Sequence, residues 1–199
     1  MDADEKKFFD EIAPRWDSME IHSLPPKINS ILDRIGIRKG MDILDLGTGT
    51  GVLIPYLLER TGVIGTVTAL DASEGMIAEA RRKFSYMCPG PVFLLKDFEK
   101  EAIEGKFDLI ILYCVYPHLN EPLSTLKRLI TENLKNDGKI AIAFPTDEKF
   151  INSIHKERKI ESDQLPPSSA LADYLHKEGF RASDLSKPGD YIVILEKKD

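Results

Sequence analysis

Cysteine is scarce in this sequence, and long apolar runs are missing from it. Cys88 and Cys114 have neither disulfide-framework nor metal-ligand spacing, which favours reduced thiols in the cytoplasm. The longest apolar stretch, around Leu109 to Tyr116, is far short of the ~20 residues that span a bilayer. The acidic N-terminal segment has no signal-peptide pattern. We therefore expect a cytoplasmic protein without a membrane span.

Concentrated positive charge is also missing. The chain has 27 basic and 33 acidic residues, a formal net charge of -6. Short pieces such as "ARRKF" do not form the basic face that neutralises nucleic-acid phosphates, so nucleic acid is not expected as the main partner. A content of 42% apolar and 30% charged residues over 199 positions is ordinary for one globular domain with a single core.

Strand-like runs alternate with amphipathic helical segments, which predicts a parallel sheet covered by helices. The predicted strands are Met41–Leu46, Gly65–Asp71, Pro91–Leu95, Phe107–Tyr113 and Gly138–Phe144. The predicted helices between them are Gly51–Arg60, Ser73–Phe84 and Leu119–Lys135, the last ended by Asn136–Gly138 with a left-handed glycine cap. Near the C-terminus, Lys187-Pro188-Gly189-Asp190 joins two strand-like runs as a hairpin. The pattern predicts an α/β fold with a doubly wound sheet of seven strands, mostly parallel and ending in an antiparallel hairpin.

A glycine-rich loop follows the first predicted strand. In Gly47-Thr48-Gly49-Thr50-Gly51, glycine permits a sharp turn and the close approach of a ligand, and a helix N-terminus with free N–H groups follows. The dinucleotide fingerprint G-x-G-x-x-G would need glycine where Val52 stands. Asp45, just before the loop, suits an ammonium group and would repel a pyrophosphate. The loop therefore favours an amino-acid-bearing cofactor over NAD; the alternative is a glycine-rich turn without a ligand.

Two further acidic residues follow the next predicted strands. Asp71 ends the second strand, where a carboxylate can accept hydrogen bonds from ribose hydroxyls. Asp97 and Phe98 follow the third strand and suit the amino group and ring face of adenine. Because parallel strands bring their carboxyl ends to one sheet edge, these residues and Asp45 predict a nucleoside site there.

The segments "DLGTGTG", "ALDASEGMIAEAR", "KDF", "FDLIILYCVYPHL" and "LKNDGKIAIAFP" resemble the successive motifs of class I S-adenosylmethionine-dependent methyltransferases. Within that class, the group that includes the ubiquinone/menaquinone C-methyltransferases is the most similar in character. The resemblance runs from Phe8 to the C-terminus. It implies a Rossmann-like fold, S-adenosylmethionine as cofactor and S-adenosylhomocysteine as product.

The resemblance also implies which residues hold the methionine portion of the cofactor. Asp45 would face its amino group, directly or through water, beside the loop residues Gly47, Thr48, Gly49 and Gly51.

The nucleoside portion is assigned in the same way. By the resemblance, Asp71 binds the ribose, and Ala72 and Met76 line the adenine. Asp97 contacts the adenine amino group, and the backbone of Phe98 contacts the ring nitrogens.

The resemblance places Tyr113 near the sulfonium and identifies the N-terminal segment with a lid helix, so that Phe9 and Trp16 cover the cofactor. Core packing is the alternative for Phe8 and Phe9. We expect one domain, divided into lid helices (1–36), a cofactor-binding core (37–145), a possible substrate lid (146–166), and a final helix and hairpin (167–199).

The acceptor side carries two histidines. His118 follows Tyr116 and Pro117, where related proteins usually have a histidine pair, and its candidate roles are base, hydrogen-bond donor or metal ligand. A histidine bonded to backbone at a helix start is the alternative. We predict that His118 and His155 meet over the acceptor site, near Tyr113; a solvated surface position is the alternative for His155. No metal site is predicted.

The one-domain size and the absence of a recognition module favour a small-molecule methyl acceptor over a nucleic-acid or protein substrate. A monomer or homodimer is expected. Methylation of protein or RNA, and S-adenosylmethionine binding without catalysis, are the alternatives; Val52 argues against an NAD-dependent oxidoreductase.

Overall fold

The computed structural model describes residues 3–18, 25–157 and 164–197. The helices are α1 (Ala3–Ile12), α2 (Pro25–Ile35), α3 (Ile54–Thr61), α4 (Glu74–Phe84), α5 (Pro122–Arg128), α6 (Glu148–Glu157) and α7 (Ser168–Lys177). The strands are β1 (Asp42–Leu46), β2 (Thr66–Asp71), β3 (Val92–Leu95), β4 (Phe107–Tyr113), β5 (Leu134–Phe144), β6 (Arg181–Asp184) and β7 (Tyr191–Glu196). No helix within the described ranges is long and apolar enough to cross a bilayer.

The seven strands form one sheet in the order β3-β2-β1-β4-β5-β7-β6. Strands β1 to β5 are parallel, and β7 runs antiparallel to both β5 and β6. In the turn before β7, Gly189 has φ +84°, and the N–H of Asp190 donates to the carbonyl of Lys187 at 3.0 Å. The predicted fold class, including the C-terminal hairpin, is confirmed. The strand order reverses at β1, and the carboxyl ends of β1 and β4 border the crevice where such sheets bind ligands.

Apolar residues cover both faces of the sheet, so the central strands are buried on both sides. On β4, Leu109 and Ile111 contact the cluster formed with α2 and α3, whereas Ile110 and Leu112 contact the cluster formed with α5 and α7. This alternation follows from the two-residue repeat of a strand. It explains why β4 reads as a continuous apolar run in the sequence.

The end of α5 differs from its prediction. The predicted helix Leu119–Lys135 is wrong at both ends, because α5 spans Pro122–Arg128 and one π-helical turn, Leu129–Asn133, leads directly into β5. The buried side-chain amide of Asn133 donates to the carbonyl of Ile103 at 2.8 Å. Since this bond spans distant parts of the chain, the helical spacing of the leucines could not predict it.

The predicted left-handed cap at Gly138 is also wrong. Gly138 lies inside β5, where an added Cβ would come within 2.9 Å of the carbonyl oxygen of Phe107. Glycine is required there because two backbones approach closely.

The N-terminal helices occupy two different places. Helix α1 and the 3-10 turn Ala13–Ser18 lie against α4, whereas α2 buries Ile28, Ile31 and Ile35 in the core on one face of the sheet. Within the described part of residues 1–36, the region that lies over the sheet edge is therefore α1 with its 3-10 turn, and α2 is a core helix.

Candidate active site

A cavity lies at the carboxyl ends of the central strands, between the sheet edge, α1 and α6. Most of the residues predicted to bind the cofactor or the acceptor line it, namely Trp16, Asp45, Gly47, Thr48, Gly49, Asp71, Ala72, Met76, Asp97, Phe98, Tyr113 and His118. The topology collects these residues because each follows or ends a parallel strand or lies in an adjoining segment.

The glycine loop forms the floor of the cavity. Gly47 has φ +73°, and Gly49 has φ +57°, both in the left-handed region that favours glycine. A Cβ on Gly47 would lie only 2.5 Å from Cγ2 of Val115, so the strand-four region packs directly against the loop backbone. The loop therefore needs glycine for both its conformation and its packing.

Gly51 plays a different part from Gly47 and Gly49. A Cβ on Gly51 would meet Cδ1 of Ile54 at 2.7 Å and Cε2 of Phe84 at 2.9 Å, so Gly51 allows the loop to pack against α3 and α4. Helix α3 begins at Ile54, later than predicted, because Gly51 has φ +87° and the following residues form turns. The structure thus gives Gly51 a packing role beside the cavity.

Asp45 is a buried carboxyl at the end of β1. Its Oδ2 atom accepts a hydrogen bond from the hydroxyl of Thr48 at 2.6 Å. Burial raises the pKa of Asp45 to about 7, and the nearby carboxyl of Asp71 acts in the same direction. An ammonium group close to Asp45 would favour the ionised carboxylate, whereas an anion would be repelled.

Asp71 connects the end of β2 to the glycine loop and to α4. Its Oδ2 accepts the backbone N–H of Gly49 at 2.8 Å, and its Oδ1 accepts the N–H of Ser73 at 2.9 Å. Burial raises the pKa of Asp71 despite these bonds. Each carboxylate oxygen has a second lone pair, so Asp71 can still accept from a ligand hydroxyl.

Asp97 follows β3 and lies near the rim of the cavity. Burial opposes ionisation, but the side-chain bond with Lys100, at 2.9 Å, contributes to a lowered pKa of Asp97. The carbonyl oxygen of the next residue, Phe98, accepts a hydrogen bond from Arg128. These contacts fix the turn after β3, where the resemblance puts the adenine.

Helix α1 is fastened to α4 by Asp10. The Oδ1 atom of Asp10 accepts from the hydroxyl of Ser73 at 2.6 Å and from the N–H of Gly75 at 3.0 Å. A Cβ on Gly75 would lie 2.7 Å from the carbonyl oxygen of Asp10, so the two backbones are in close contact. The N-terminus of α4 is therefore covered by an acidic residue, which its helix dipole favours.

The 3-10 turn is fastened to the glycine loop by Asp17. Its carboxylate accepts from the hydroxyl of Thr50 at 2.5 Å and pairs with Lys83 at 2.7 Å. These contacts hold Trp16 over the loop, with its indole Nε1 3.9 Å from where a Cβ on Gly49 would lie. Nothing in the sequence indicated these roles of Asp10 and Asp17, because both look like ordinary acidic residues of a polar segment.

Tyr113 and His118 lie on the opposite wall. The hydroxyl of Tyr113 is buried without a hydrogen-bond partner among the described residues, and burial raises its pKa, so it stays protonated. Nδ1 of His118 lies 2.6 Å from Oε1 of Glu5, a contact that the sequence did not reveal. The ring of Phe9 meets that of His118 edge to face, with centroids 5.5 Å apart.

His155 is in α6, but its side chain lies outside the described residues, so its meeting with His118 stays a prediction. Across residues 3–18, 25–157 and 164–197, no three His, Cys, Asp or Glu side chains are grouped to hold a metal ion.

The sheet order and the glycine loop place the chain in the class of Rossmann-like domains. A family model described as a methyltransferase domain matches residues 37–179. The chain belongs to this methyltransferase domain family, and the class I membership that its motifs predict is confirmed.

The chain is also similar in sequence to individual O-methyltransferases. The chain is 33% identical over 154 residues to malonyl-[acyl-carrier protein] O-methyltransferase of Acetivibrio thermocellus, covering 73% of this chain but 52% of that protein. It is 24% identical to ubiquinone biosynthesis O-methyltransferase of Vibrio campbellii, covering 100% of this chain and 83% of that protein. The chain thus spans only about half the length of the first relative.

The fold is found in solved structures as well. A SAM-dependent methyltransferase from Aquifex aeolicus superimposes with a TM-score of 0.69 at 23% identity, and the match covers 100% of both chains. This likeness shows the fold over the whole chain.

Proposed function

We propose that the protein transfers a methyl group from S-adenosylmethionine to a small molecule. The observation that carries the proposal is the cavity itself, in which Asp45, Asp71 and the glycine loop adjoin apolar walls formed by α1 and α6. The cofactor supplies an electrophilic methyl group on a positively charged sulfur. The relatives described above, whose printed names are O-methyltransferases, support this class of reaction.

The cavity fits the methionine portion of this cofactor. Asp45 is buried with a pKa of about 7, and an ammonium group beside it would complete the charge pair. Gly47 and Gly49 keep the loop backbone free of Cβ atoms, so that the ligand can approach its N–H groups.

The nucleoside portion of S-adenosylmethionine fits beside the methionine portion. Asp71 can accept from ribose hydroxyls through its remaining lone pairs, and Ala72 and Met76 provide apolar contacts for a purine ring. Asp97, with its lowered pKa, can accept from the amino group of adenine.

The acceptor side of the cavity is largely apolar where the described residues form it. Phe8, Phe144, Ile151 and Ile154 line it, and of the described lining residues none is lysine or arginine. Among the described lining residues, the ionisable side chains that a carboxylate or phosphate on the acceptor could meet are carboxyls, a histidine, a cysteine and a tyrosine, so such a group would be held at an electrostatic cost. We infer that the acceptor has an apolar body without an anionic group, and that α6 borders it.

The experiment is a transfer assay with S-adenosylmethionine labelled in its methyl group. The acceptor panel contains apolar alcohols and phenols, carboxylates of similar size, RNA and unfolded protein. We expect label in the neutral small molecules. Label confined to RNA or protein would contradict the acceptor class, and binding without transfer to any acceptor would contradict the enzymatic function.

Two substitutions in α6 locate the acceptor within the cavity. Ile154→Ala shortens a lining side chain, whereas Phe150→Ala alters an exposed side chain of the same helix. We expect Ile154→Ala to raise the KM for the acceptor severalfold with unchanged cofactor affinity, and Phe150→Ala to leave both constants unchanged. The cytoplasmic location and the monomeric or homodimeric state stay predictions.

A further inference from the structure

Helix α6 reaches the acceptor side of the cavity with two of its residues. Ile151 and Ile154 line the cavity, and their spacing of three positions puts them on one face of the helix. Asn152 follows Ile151 and lies about 100° further around the helix, away from Ile154. The residues that border the cavity and the side chain of Asn152 therefore belong to different sides of α6.

The side-chain amide of Asn152 makes two hydrogen bonds to the backbone of one residue. Its Nδ2–H donates to the carbonyl oxygen of Leu165 at 2.9 Å, and its Oδ1 accepts the N–H of Leu165 at 2.8 Å. The two residues are 13 positions apart in the chain. An amide offers a donor and an acceptor side by side, so it pairs with Leu165 as the backbone of a neighbouring strand would. Asn152 thus joins α6 to the segment before α7.

Leu165 is a fixed point for this attachment. Its side chain is 1% exposed and packs in the same core cluster as Phe144 and Ile151. The carbonyl oxygen of the next residue, Pro166, accepts a hydrogen bond from the hydroxyl of Tyr191 in β7 at 3.1 Å. Because the core and the sheet both hold this segment, its position determines where α6 can lie.

Two other polar contacts of this region are local. The backbone N–H of Phe150 donates to Oδ1 of Asp147 at 3.0 Å, and the hydroxyl of Ser153 donates to the carbonyl of Phe150 at 2.7 Å. Bonds within one turn shape the helix but cannot set its distance from the sheet. The pair of bonds to Leu165 can set that distance, because they reach a segment anchored in the core.

We propose that Asn152 is a positioning residue that sets the width of the acceptor space, and with it the size of the acceptor that is methylated. The inference rests on the proposed function and adds a residue that determines acceptor size. While Asn152 holds α6, a longer apolar acceptor has to displace the packed side chains of Ile151 and Ile154. Without these bonds α6 can shift outward, so that larger acceptors gain room and small ones lose contacts.

The first test is hydrogen exchange at the backbone N–H of Leu165 in the protein without added ligand. Asn152→Ala removes the acceptor of this N–H, so we expect its exchange to be about tenfold faster than in the wild type. Asn152→Asp keeps an oxygen that can accept from the same N–H and should give an intermediate rate. Ser153→Ala, at an exposed position of the same helix, is the matched control and should exchange as the wild type does.

The second test is kinetic and uses phenol, 4-ethylphenol and 4-butylphenol as acceptors. Methylene groups in an apolar pocket discriminate strongly, so Asn152→Ala should shift the ratio of kcat/KM for 4-butylphenol to that for phenol about tenfold toward the larger acceptor. The shift should arise in KM rather than kcat, with an unchanged dissociation constant for S-adenosylhomocysteine. Asn152→Asp should give a smaller shift, and Ser153→Ala should keep the wild-type ratio.

The outcomes separate the two proposals. If the wild type methylates the phenols, an unchanged size ratio in Asn152→Ala would overturn the role of Asn152 alone. An unchanged exchange rate at Leu165 would do the same, and so would an equal shift in Ser153→Ala, because it would show a general effect on α6. A wild type that methylates none of the three phenols would overturn the proposed acceptor class, and this inference with it.

Discussion

Oδ2 of Asp71 accepts a hydrogen bond from the backbone N–H of Gly49 at 2.8 Å, which ties the end of β2 to the glycine loop of β1. The second oxygen accepts from Ser73 at the start of α4. One buried carboxylate thus fixes the relative position of the two segments that would hold the methionine and ribose portions of the cofactor.

Replacing Asp71 with asparagine should weaken cofactor binding. The side-chain amide keeps one acceptor oxygen, so one of the two backbone N–H groups loses its partner. Hydrogen bonds to charged groups contribute about 1.5–3 kcal/mol, so we expect at least a tenfold loss of affinity for S-adenosylhomocysteine by calorimetry. Asp137→Asn, at an exposed position in β5, is the control and should bind normally. Wild-type affinity in Asp71→Asn would contradict the role of this carboxylate.

Asp45 makes the stability of the ligand-free protein depend on pH. Its pKa rises from 3.8 to about 7 on folding, so the folded protein binds more protons than the unfolded chain between these values. The free energy of unfolding therefore falls as the pH rises from about 4 to about 7. We expect Asp45→Asn to reduce this fall, measured by urea unfolding at pH 5 and pH 8, and to bind the cofactor more weakly. The raised pKa of Asp71 leaves a fall of the same sign in the variant. An identical pH dependence in Asp45→Asn and wild type would contradict the assignment.

The sheet and the cofactor side of the cavity could be predicted because their signals are local. The strand patterns, the glycines at left-handed positions, and the acids Asp45 and Asp71 at strand ends all lie within short segments. Parallel topology then brings their ends together.

What could not be predicted depends on contacts between distant segments. The early start of β5 follows from Asn133 and its bond to Ile103, and the part played by Gly51 follows from the packing of Phe84. The pairing of Glu5 with His118 depends on how α1 docks, and no local spacing encodes it.

Gly47 should tolerate alanine less well than Gly62, another glycine with a positive φ. Gly47→Ala places a Cβ 2.5 Å from Val115, whereas Gly62, with φ +65°, has no described atom within 4 Å of such a Cβ. We expect Gly47→Ala to lower the melting temperature and the cofactor affinity clearly more than Gly62→Ala does. Adding Val115→Ala to Gly47→Ala should restore part of the melting temperature and part of the cofactor affinity. Equal effects of Gly47→Ala and Gly62→Ala would contradict the packing account.

Asp17 should hold the lid over the cofactor. Asp17→Ala removes the bonds to Thr50 and Lys83, so α1 and the 3-10 turn should open more often. Trp16 is the sole tryptophan in the sequence, so its fluorescence reports this region directly. We expect a smaller fluorescence change on adding S-adenosylhomocysteine and a severalfold weaker affinity, with Glu11→Gln unchanged. A full wild-type response in Asp17→Ala would show that these bonds do not hold the lid.

Calorimetric titration of the wild-type protein with S-adenosylmethionine, and separately with NAD, tests the central claim most directly. The charge and geometry of Asp45, Asp71 and the glycine loop predict saturable one-to-one binding of S-adenosylmethionine and no binding of NAD. Absence of S-adenosylmethionine binding at millimolar concentration, or a preference for NAD, would contradict it.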